Sequence, residues 1–119
     1  MRERVRDVER LYHIEKSIGH VMDFLEGKTF EEMRGDVMCF HAVVYNIMII
    51  GEAANMLTME FRENHPETPW RQITGMRNFL IHGYHQVEKD LVWKVIEEDL
   101  HALRPQIISY MADFGISVE

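Results

Sequence analysis

Apolar residues recur at intervals of three, four and seven along much of this sequence, a spacing that places side chains on one face of an α-helix. In the first stretch, about Arg2 to Glu26, the apolar stripe consists of Val8, Leu11, Ile18, Val21 and Leu25. A second stretch, from Val37 to about Leu57, is apolar on more than one side, which is typical of a helix inside a core. We therefore predict an all-α protein whose second long helix is central.

Turn and capping residues mark the ends of the predicted helices in the first half. Gly27 follows the first helix and is expected to stop it. Thr29 and Glu32 have the spacing of a capping box, which predicts a short helix that Gly35 interrupts. Asp36 then precedes the central helix, where its carboxylate can accept hydrogen bonds from the first N–H groups.

The second half contains two further long helices. The chain turns polar from Thr58 to Thr68, with Asn64-His65-Pro66-Glu67 as a loop signal, after which Thr68 is predicted to cap a helix and Pro69 to occupy its first position. Asp90 is predicted to cap the final helix, which Pro105 should kink or divide. The whole chain, residues 1–119, is thus predicted to be one domain, an up-and-down bundle of four main helices plus a short helix.

Composition narrows the class of protein. The chain has 13 Lys and Arg residues against 20 Asp and Glu residues, a formal net charge of −7, so any contact with nucleic acid must be local. Its single cysteine, Cys39, excludes an internal disulfide and is expected to be a buried apolar residue. The start of the chain lacks the apolar core of a signal peptide, and the run from Ala42 to Ile50 is too short to span a membrane. We expect a cytoplasmic protein without membrane contact.

The stretch Met76–His85 carries the residues best suited to phosphate chemistry. It contains Arg77, Asn78, His82 and Tyr84. Asn78 and His82 are four residues apart and should share a helix face, whereas the five-residue step from Arg77 to His82 points those side chains about 140° apart. Gly83 should end the helix directly after His82. One copy of the motif is therefore expected to be an incomplete site.

These residue types can cleave RNA without a metal ion. RNA supplies its own nucleophile, the ribose 2′-hydroxyl, so an enzyme needs proton transfer and stabilisation of charge on the phosphate. Histidine, with a reference pKa of about 6.5, suits the first task. The guanidinium fork of Arg77 suits the second, and Asn78 could orient the His82 ring or hold the phosphate. The histidines show no convincing metal-ligand spacing, so we predict no metal or other cofactor.

Two residues outside the stretch Met76–His85 are predicted to hold the motif in position. Glu52 lies within the apolar central helix, where burial would be costly without a partner, and Arg77 is the predicted partner. The alternative is a solvated glutamate on an exposed stripe. Gly75, inside the motif helix, is predicted to mark close packing against a neighbouring helix.

The arrangement Arg, four residues, His, one residue, Tyr resembles the motif of the HEPN superfamily, specifically its HepT branch, the toxin of HepT–MntA toxin-antitoxin pairs. Further similarities are Ile49-Ile50-Gly51-Glu52-Ala53-Ala54 in the central helix, Pro69-Trp70 before the motif and Trp93 after it. The resemblance implies a HEPN-like bundle, a homodimer with a shared cleft, and metal-independent ribonuclease activity centred on Arg77 and His82. A symmetric dimer would also repair the geometry, because it brings two arginines and two histidines to one phosphodiester.

The resemblance also implies that Tyr84 is modified. In the similar family a partner nucleotidyltransferase antitoxin transfers AMP from ATP to this tyrosine, and a bulky anion there would block RNA and offset the arginines. Tyr84 could instead pack locally. His85 is an additional imidazole that could compete with His82 for the acid-base role. Two other interpretations stay open: a non-catalytic helical subunit that binds a nucleotidyltransferase, and a purely structural bundle.

Overall fold

The computed structural model describes residues 2–82 and 88–118, except for the side chains of residues 2–5, 79, 81 and 82. Every regular element in these ranges is helical, which confirms the all-α prediction. The helices are α1 (Arg2–Leu25), α2 (Phe30–Gly35), α3 (Val37–Asn55), α4 (Met59–Asn64), α5 (Trp70–His82), α6 (Lys89–Lys94) and α7 (His101–Asp113), with a π-helical segment (Val95–Leu100) between the last two.

Helix α3 is the centre of the bundle, as its apolar composition predicts. It packs against α1, α2 and α5, and α1 also packs against α7. Val43, Ile47, Ile50 and Ala54 of α3 are buried in the core, and so is Cys39 at its start. The long elements are α1, α3, α5 and the continuous segment from α6 to α7, so the predicted bundle of four main helices is confirmed.

By length and composition alone, α3 could cross a membrane, since its mean hydropathy is 1.6 over an 18-residue window. Half of that window is buried inside this protein. Because α3 is the core helix of the bundle, packing against α1 and α5 accounts for its apolar composition.

The predicted boundaries in the first half are correct. Gly27 follows α1 with a φ of 73°, a left-handed conformation that glycine adopts without steric cost. The hydroxyl of Thr29 accepts a hydrogen bond from the N–H of Glu32, whose carboxylate accepts one from the N–H of Thr29. A carboxylate oxygen of Asp36 lies 3.0 Å from the nitrogen of Cys39 and caps α3.

The loop signal at Asn64-His65-Pro66-Glu67 is confirmed from His65 onward, but the sequence analysis did not predict the short helix α4 that precedes it. Thr58 caps this helix by accepting a hydrogen bond from the N–H of Phe61. The backbone N–H and the hydroxyl of Thr58 in turn donate to the buried carboxylate of Asp7 on α1. Six residues of helix are marginal by themselves, so these contacts with α1 stabilise α4.

Thr68 does not have its predicted capping role. Its side chain is buried and lies within hydrogen-bond distance of the Tyr110 hydroxyl and the Gln106 side chain, both on α7. Helix α5 begins at Trp70, directly after Pro69. The threonine therefore joins the start of α5 to the last helix.

The final helix begins two residues earlier than predicted, with Glu88 rather than Asp90 at the cap position, and is interrupted upstream of its proline. Asp90 lies inside the first turn of α6, which starts at Lys89, so it is not the cap. The π-helical segment Val95–Leu100 precedes α7, and α7 continues through Pro105. Proline lacks an N–H and its ring crowds the carbonyl four residues earlier, so a wider turn just before that position relieves the backbone. The helix is thus divided near Pro105, although not at it.

Candidate active site

Helix α5 carries Arg77, Asn78 and His82 on one continuous helical backbone that ends at His82. On this backbone, positions 78 and 82 lie one turn apart on the same side of α5, and positions 77 and 82 lie about 140° apart around the helix axis. That one copy of the motif is an incomplete site stays a prediction, because the His82 side chain lies outside the described part of the chain.

The guanidinium of Arg77 forms an ion pair with the carboxylate of Glu52 on α3 through its Nε atom. This is the partner predicted for Glu52. The side chains are 34% and 46% exposed, respectively, so neither charge is buried. Ion pairs at this level of exposure contribute at most about 1 kcal/mol to stability. The pair therefore holds the arginine at the surface, where it can reach a ligand, and adds little to the stability of the bundle.

A close approach of α3 to α5 at Gly51 makes this pairing possible. A Cβ atom at Gly51 would lie 2.6 Å from Cβ and 3.0 Å from the backbone nitrogen of Arg77, and 3.2 Å from the carbonyl oxygen of Ile73. Distances this short leave no space for any side chain other than hydrogen. The prediction that Gly75 marks the close packing is wrong, because a Cβ there would have no neighbour within 4 Å. The glycine at the helix contact is Gly51.

Asn78 is exposed and lies beside the arginine. The Nη1 atom of Arg77 donates to Oδ1 of Asn78 at 3.3 Å. The guanidinium thus contacts Glu52 through one nitrogen and Asn78 through another. No described hydrogen bond engages the remaining nitrogen, Nη2.

Several predicted site residues lie outside the described part of the chain. The backbone of His82 is the last residue of α5, but its side chain is not described. Gly83, Tyr84 and His85 lie in the range 83–87, which is also outside the described residues. The roles assigned to them remain predictions. Among the described residues, no group of three or more His, Cys, Asp or Glu side chains could hold a metal ion.

The start of α5 is fixed by a hydrogen-bond network that the sequence did not reveal. The Tyr110 hydroxyl of α7 donates to a carboxylate oxygen of Glu67 at 2.8 Å and also contacts Thr68. Burial is the main cause that raises the pKa of Tyr110 to about 12. The hydrogen bond from its own backbone, followed by that from Tyr110, lowers the pKa of Glu67. The indole N–H of Trp70 donates to the carbonyl of His65 at 2.9 Å.

The sequence profile of the ribonuclease HepT-like family matches residues 14–110, which is most of the chain and includes α3 and α5. This chain belongs to the HepT-like family. The resemblance predicted from the Arg77 motif is therefore confirmed.

Relatives of known sequence agree with this assignment. The candidate RNase MJ1380 of Methanocaldococcus jannaschii is 35% identical over 86% of this chain and 94% of its own length. The candidate RNase TTE0752 of Caldanaerobacter subterraneus is 36% identical over 82% of this chain and 87% of its own. A Thermococcus cleftensis protein named "Probable ribonuclease HepT" is 35% identical over 79% of this chain and 86% of its own. No solved structure matches the chain.

Proposed function

We propose that this HepT-like protein is a metal-independent endoribonuclease toxin that cleaves RNA in the cleft of a homodimer. The family match over residues 14–110 carries the proposal, since it places the chain among RNA endonucleases. The ion pair at the surface supports it, because Arg77 is held at the motif helix with its guanidinium accessible to a phosphate. A nucleotidyltransferase antitoxin that transfers AMP to Tyr84 completes the proposed pair.

The proposed reaction uses groups that RNA and α5 provide. The 2′-hydroxyl loses its proton to a His82 imidazole and attacks the adjacent phosphorus. The bond from phosphorus to the 5′-oxygen then breaks, and a second imidazole protonates the leaving oxygen. The products are a 2′,3′-cyclic phosphate and a free 5′-hydroxyl. Arg77 stabilises the charge on the phosphate oxygens in the transition state, and Asn78 keeps its fork oriented.

The dimer supplies what one protomer lacks. Two α5 helices that face each other across a two-fold axis would place Arg77 of one protomer opposite His82 of the other. This removes the difficulty that the two residues point about 140° apart on one helix. The two imidazoles of such a cleft could serve as the base and the acid of the same reaction.

Mixed dimers test the shared cleft. Arg77→Ala and His82→Ala protomers are each expected to be inactive as homodimers, whereas their mixed dimer retains one Arg77 and one His82 in one composite site. We expect mixing to restore part of the RNA cleavage, measured in EDTA on labelled single-stranded RNA, above either homodimer, because the remaining His82 can act as the base while water protonates the leaving oxygen. Arg71→Ala, an exposed arginine on the same helix, is the control and should keep the parent activity. No recovery on mixing would contradict a site shared between protomers.

The absence of cleavage by the parent dimer in EDTA would favour the alternative, a non-catalytic helical subunit that binds a nucleotidyltransferase.

The proposed transfer of AMP to Tyr84 by an antitoxin has its own test. The protein incubated with the nucleotidyltransferase and ATP should gain one or more AMP groups on Tyr84, detected by peptide mass spectrometry. Tyr84→Phe should gain none, and Tyr45→Phe, at an exposed tyrosine of α3, should be modified like the parent. Unmodified Tyr84 in the parent would remove the proposed silencing mechanism.

A further inference from the structure

A groove of about 560 Å³ lies between α1 and α3, and no residue of the motif helix α5 lines it. His13, Lys16 and His20 line it from α1, and Tyr45 and Ile49 line it from α3, with Phe24 at its end. Among the described residues, the lining contains three basic side chains and no carboxylate. The accessible surface of the groove is mostly apolar, and with neutral histidines Lys16 carries the one formal charge of the described lining, in a chain whose net charge is −7.

The charges near this groove are suited to an anionic ligand. Lys16 and His20 are exposed, and imidazole N–H groups as well as the ammonium can donate hydrogen bonds to phosphate oxygens. Glu15 on α1 is buried and paired with Arg104 of α7 at 3.2 Å, and the exposed Glu9 and Asp23 of the same helix lie outside the lining of the groove. By contrast, a second groove beside α5 and α6 has Glu98 and Asp99 in its lining and would repel phosphates.

Aromatic rings lie among the basic groups. Tyr45 is 64% exposed and Phe24 is 38% exposed, although large aromatic side chains are usually more buried. The imidazole of His20 stacks on the Phe24 ring with centroids 6.1 Å apart. Cationic grooves that carry exposed aromatic rings bind single-stranded nucleic acid, because bases stack on the rings while the cations contact the backbone.

The groove leads toward the ion pair of the candidate active site. Tyr45, Ile49 and Glu52 lie at successive steps of four and three residues on α3 and so form one stripe. Along the helix, Tyr45 and Glu52 are separated by about 10 Å. A strand bound against Tyr45 could therefore continue to the phosphate that Arg77 contacts.

We propose that the groove between α1 and α3 binds single-stranded RNA next to the scissile phosphate, with bases stacked on Tyr45 and Phe24 and phosphates held by Lys16 and His20. The inference rests on the proposed ribonuclease function, since it concerns the substrate of that site. A second copy of the chain fits the groove less well. A two-fold contact would bring the groove against its own copy, so that Lys16 and both histidines would face identical basic groups.

Binding measurements separate this proposal from catalysis. The probe is a fluorescein-labelled, 2′-O-methylated single-stranded RNA, which has no free 2′-hydroxyl and so cannot be cleaved, and binding is followed by fluorescence anisotropy. Tyr45→Ala should raise the Kd about 5- to 100-fold, as for the loss of one base-aromatic stack. Tyr45→Phe should bind like the parent. Lys16→Ala should lower the slope of log K against log salt by about 0.7, the value for one phosphate contact on a single strand.

Matched variants outside the groove control for general effects. Met59→Ala removes another exposed apolar side chain, and Lys94→Ala removes an exposed lysine of the acidic groove. Both should leave the Kd unchanged. The proposal is overturned if Tyr45→Ala and Lys16→Ala bind like these controls, or if the parent does not bind the probe.

Light scattering on Tyr45→Ala tests whether a second copy of the chain, rather than RNA, occupies the groove. A change from dimer to monomer that accounts for the loss of binding would show that the groove is an interface between copies, and would also overturn the proposal. Probe binding and RNA cleavage, measured separately, distinguish failure of the groove proposal from failure of the proposed ribonuclease function. If the probe binds through the groove but unmodified RNA is not cleaved, the proposed ribonuclease function alone is refuted. If RNA is cleaved but the groove variants bind the probe like the parent, the groove proposal alone is refuted.

Discussion

At the scale of single residues, Glu52 has two opposing effects on Arg77. It holds the guanidinium in place at the junction of α3 and α5, and it offsets part of the positive charge that a phosphate would contact. The first effect matters for the transition state, which requires accurate orientation. The second matters for binding, where a carboxylate repels RNA.

Glu52→Gln should separate these effects. We expect kcat for RNA cleavage to fall about 10- to 100-fold, because the arginine loses its restraint, while KM stays the same or decreases, because a negative charge leaves the site. Initial-rate kinetics on a fluorogenic RNA measure both constants. Glu60→Gln, at an exposed glutamate of α4, is the control. An unchanged kcat would mean that the ion pair has no part in orienting Arg77.

The two imidazoles near the end of α5 can be distinguished in the same way. His82→Ala should lower cleavage by about a hundred- to ten-thousand-fold, the usual contribution of a positioned acid or base. His85→Ala should retain most of the activity. Cleavage of labelled RNA by each variant in EDTA provides the comparison, and circular dichroism checks that both remain helical. Equal cleavage by His82→Ala and the parent would exclude His82 from the site.

At the scale of helices, the contact between α3 and α5 depends on one glycine. Gly51→Ala should lower the free energy of unfolding by about 1–3 kcal/mol, the usual cost of overpacking, because its Cβ would meet the side chain and backbone of Arg77. Gly75→Ala is the matched control within the same pair of helices. It has open space around it and should raise the free energy of unfolding by up to about 1 kcal/mol, because alanine favours a helix interior.

Urea unfolding followed by circular dichroism measures both changes, and RNA cleavage should fall only for Gly51→Ala. Equal stability of the two variants would contradict the close contact at Gly51.

The sequence analysis identified Ile49 to Ala54 as characteristic of the HepT-like family but placed the close helix contact at Gly75. A glycine in a helix has the same pattern in the sequence whether a neighbouring backbone approaches it or solvent does.

Some helix boundaries follow from local sequence, whereas others depend on residues that are distant in the chain. The capping box at Thr29 and the cap at Asp36 depend on residues three positions apart, so local sequence predicts them correctly. Helix α4 was missed because its stability depends on Asp7, which is 51 residues away from Thr58. The π-helical segment before Pro105 has no simple sequence signal, although the proline itself predicts irregularity nearby.

At the scale of the whole molecule, α7 closes the bundle through Tyr110, which joins the connection between α4 and α5 to the last helix. Because burial raises the pKa of Tyr110 to about 12, its neutral form is favoured by the folded state. The corresponding stability is fully present below pH 10, the ordinary pKa of a tyrosine, and is lost as the pH rises through about 12.

Tyr110→Phe should remove this dependence. Urea unfolding of the parent should show a larger loss of stability between pH 9 and about 11.5 than unfolding of the variant, because the variant has no phenol to ionise. At neutral pH the variant should be about 1 kcal/mol less stable, since the buried Thr68 hydroxyl loses a partner. Tyr12→Phe, at an exposed tyrosine, should follow the parent. Identical alkaline profiles for Tyr110→Phe and the parent would refute the argument.

The sequence alone determined the fold class, the central position of α3 and the family, because helical spacing, capping residues and the Arg77 motif are local patterns. It also predicted the partner of Glu52, although the expected burial of that carboxylate is wrong, because its side chain is 46% exposed. The tertiary structure decided which glycine lies at the helix contact, where Tyr110 and Asp7 bind, and that basic and aromatic side chains of α1 and α3 line one groove. These features depend on how helices distant in the chain are oriented to each other, and helical periodicity specifies a face but not the neighbour that will cover it.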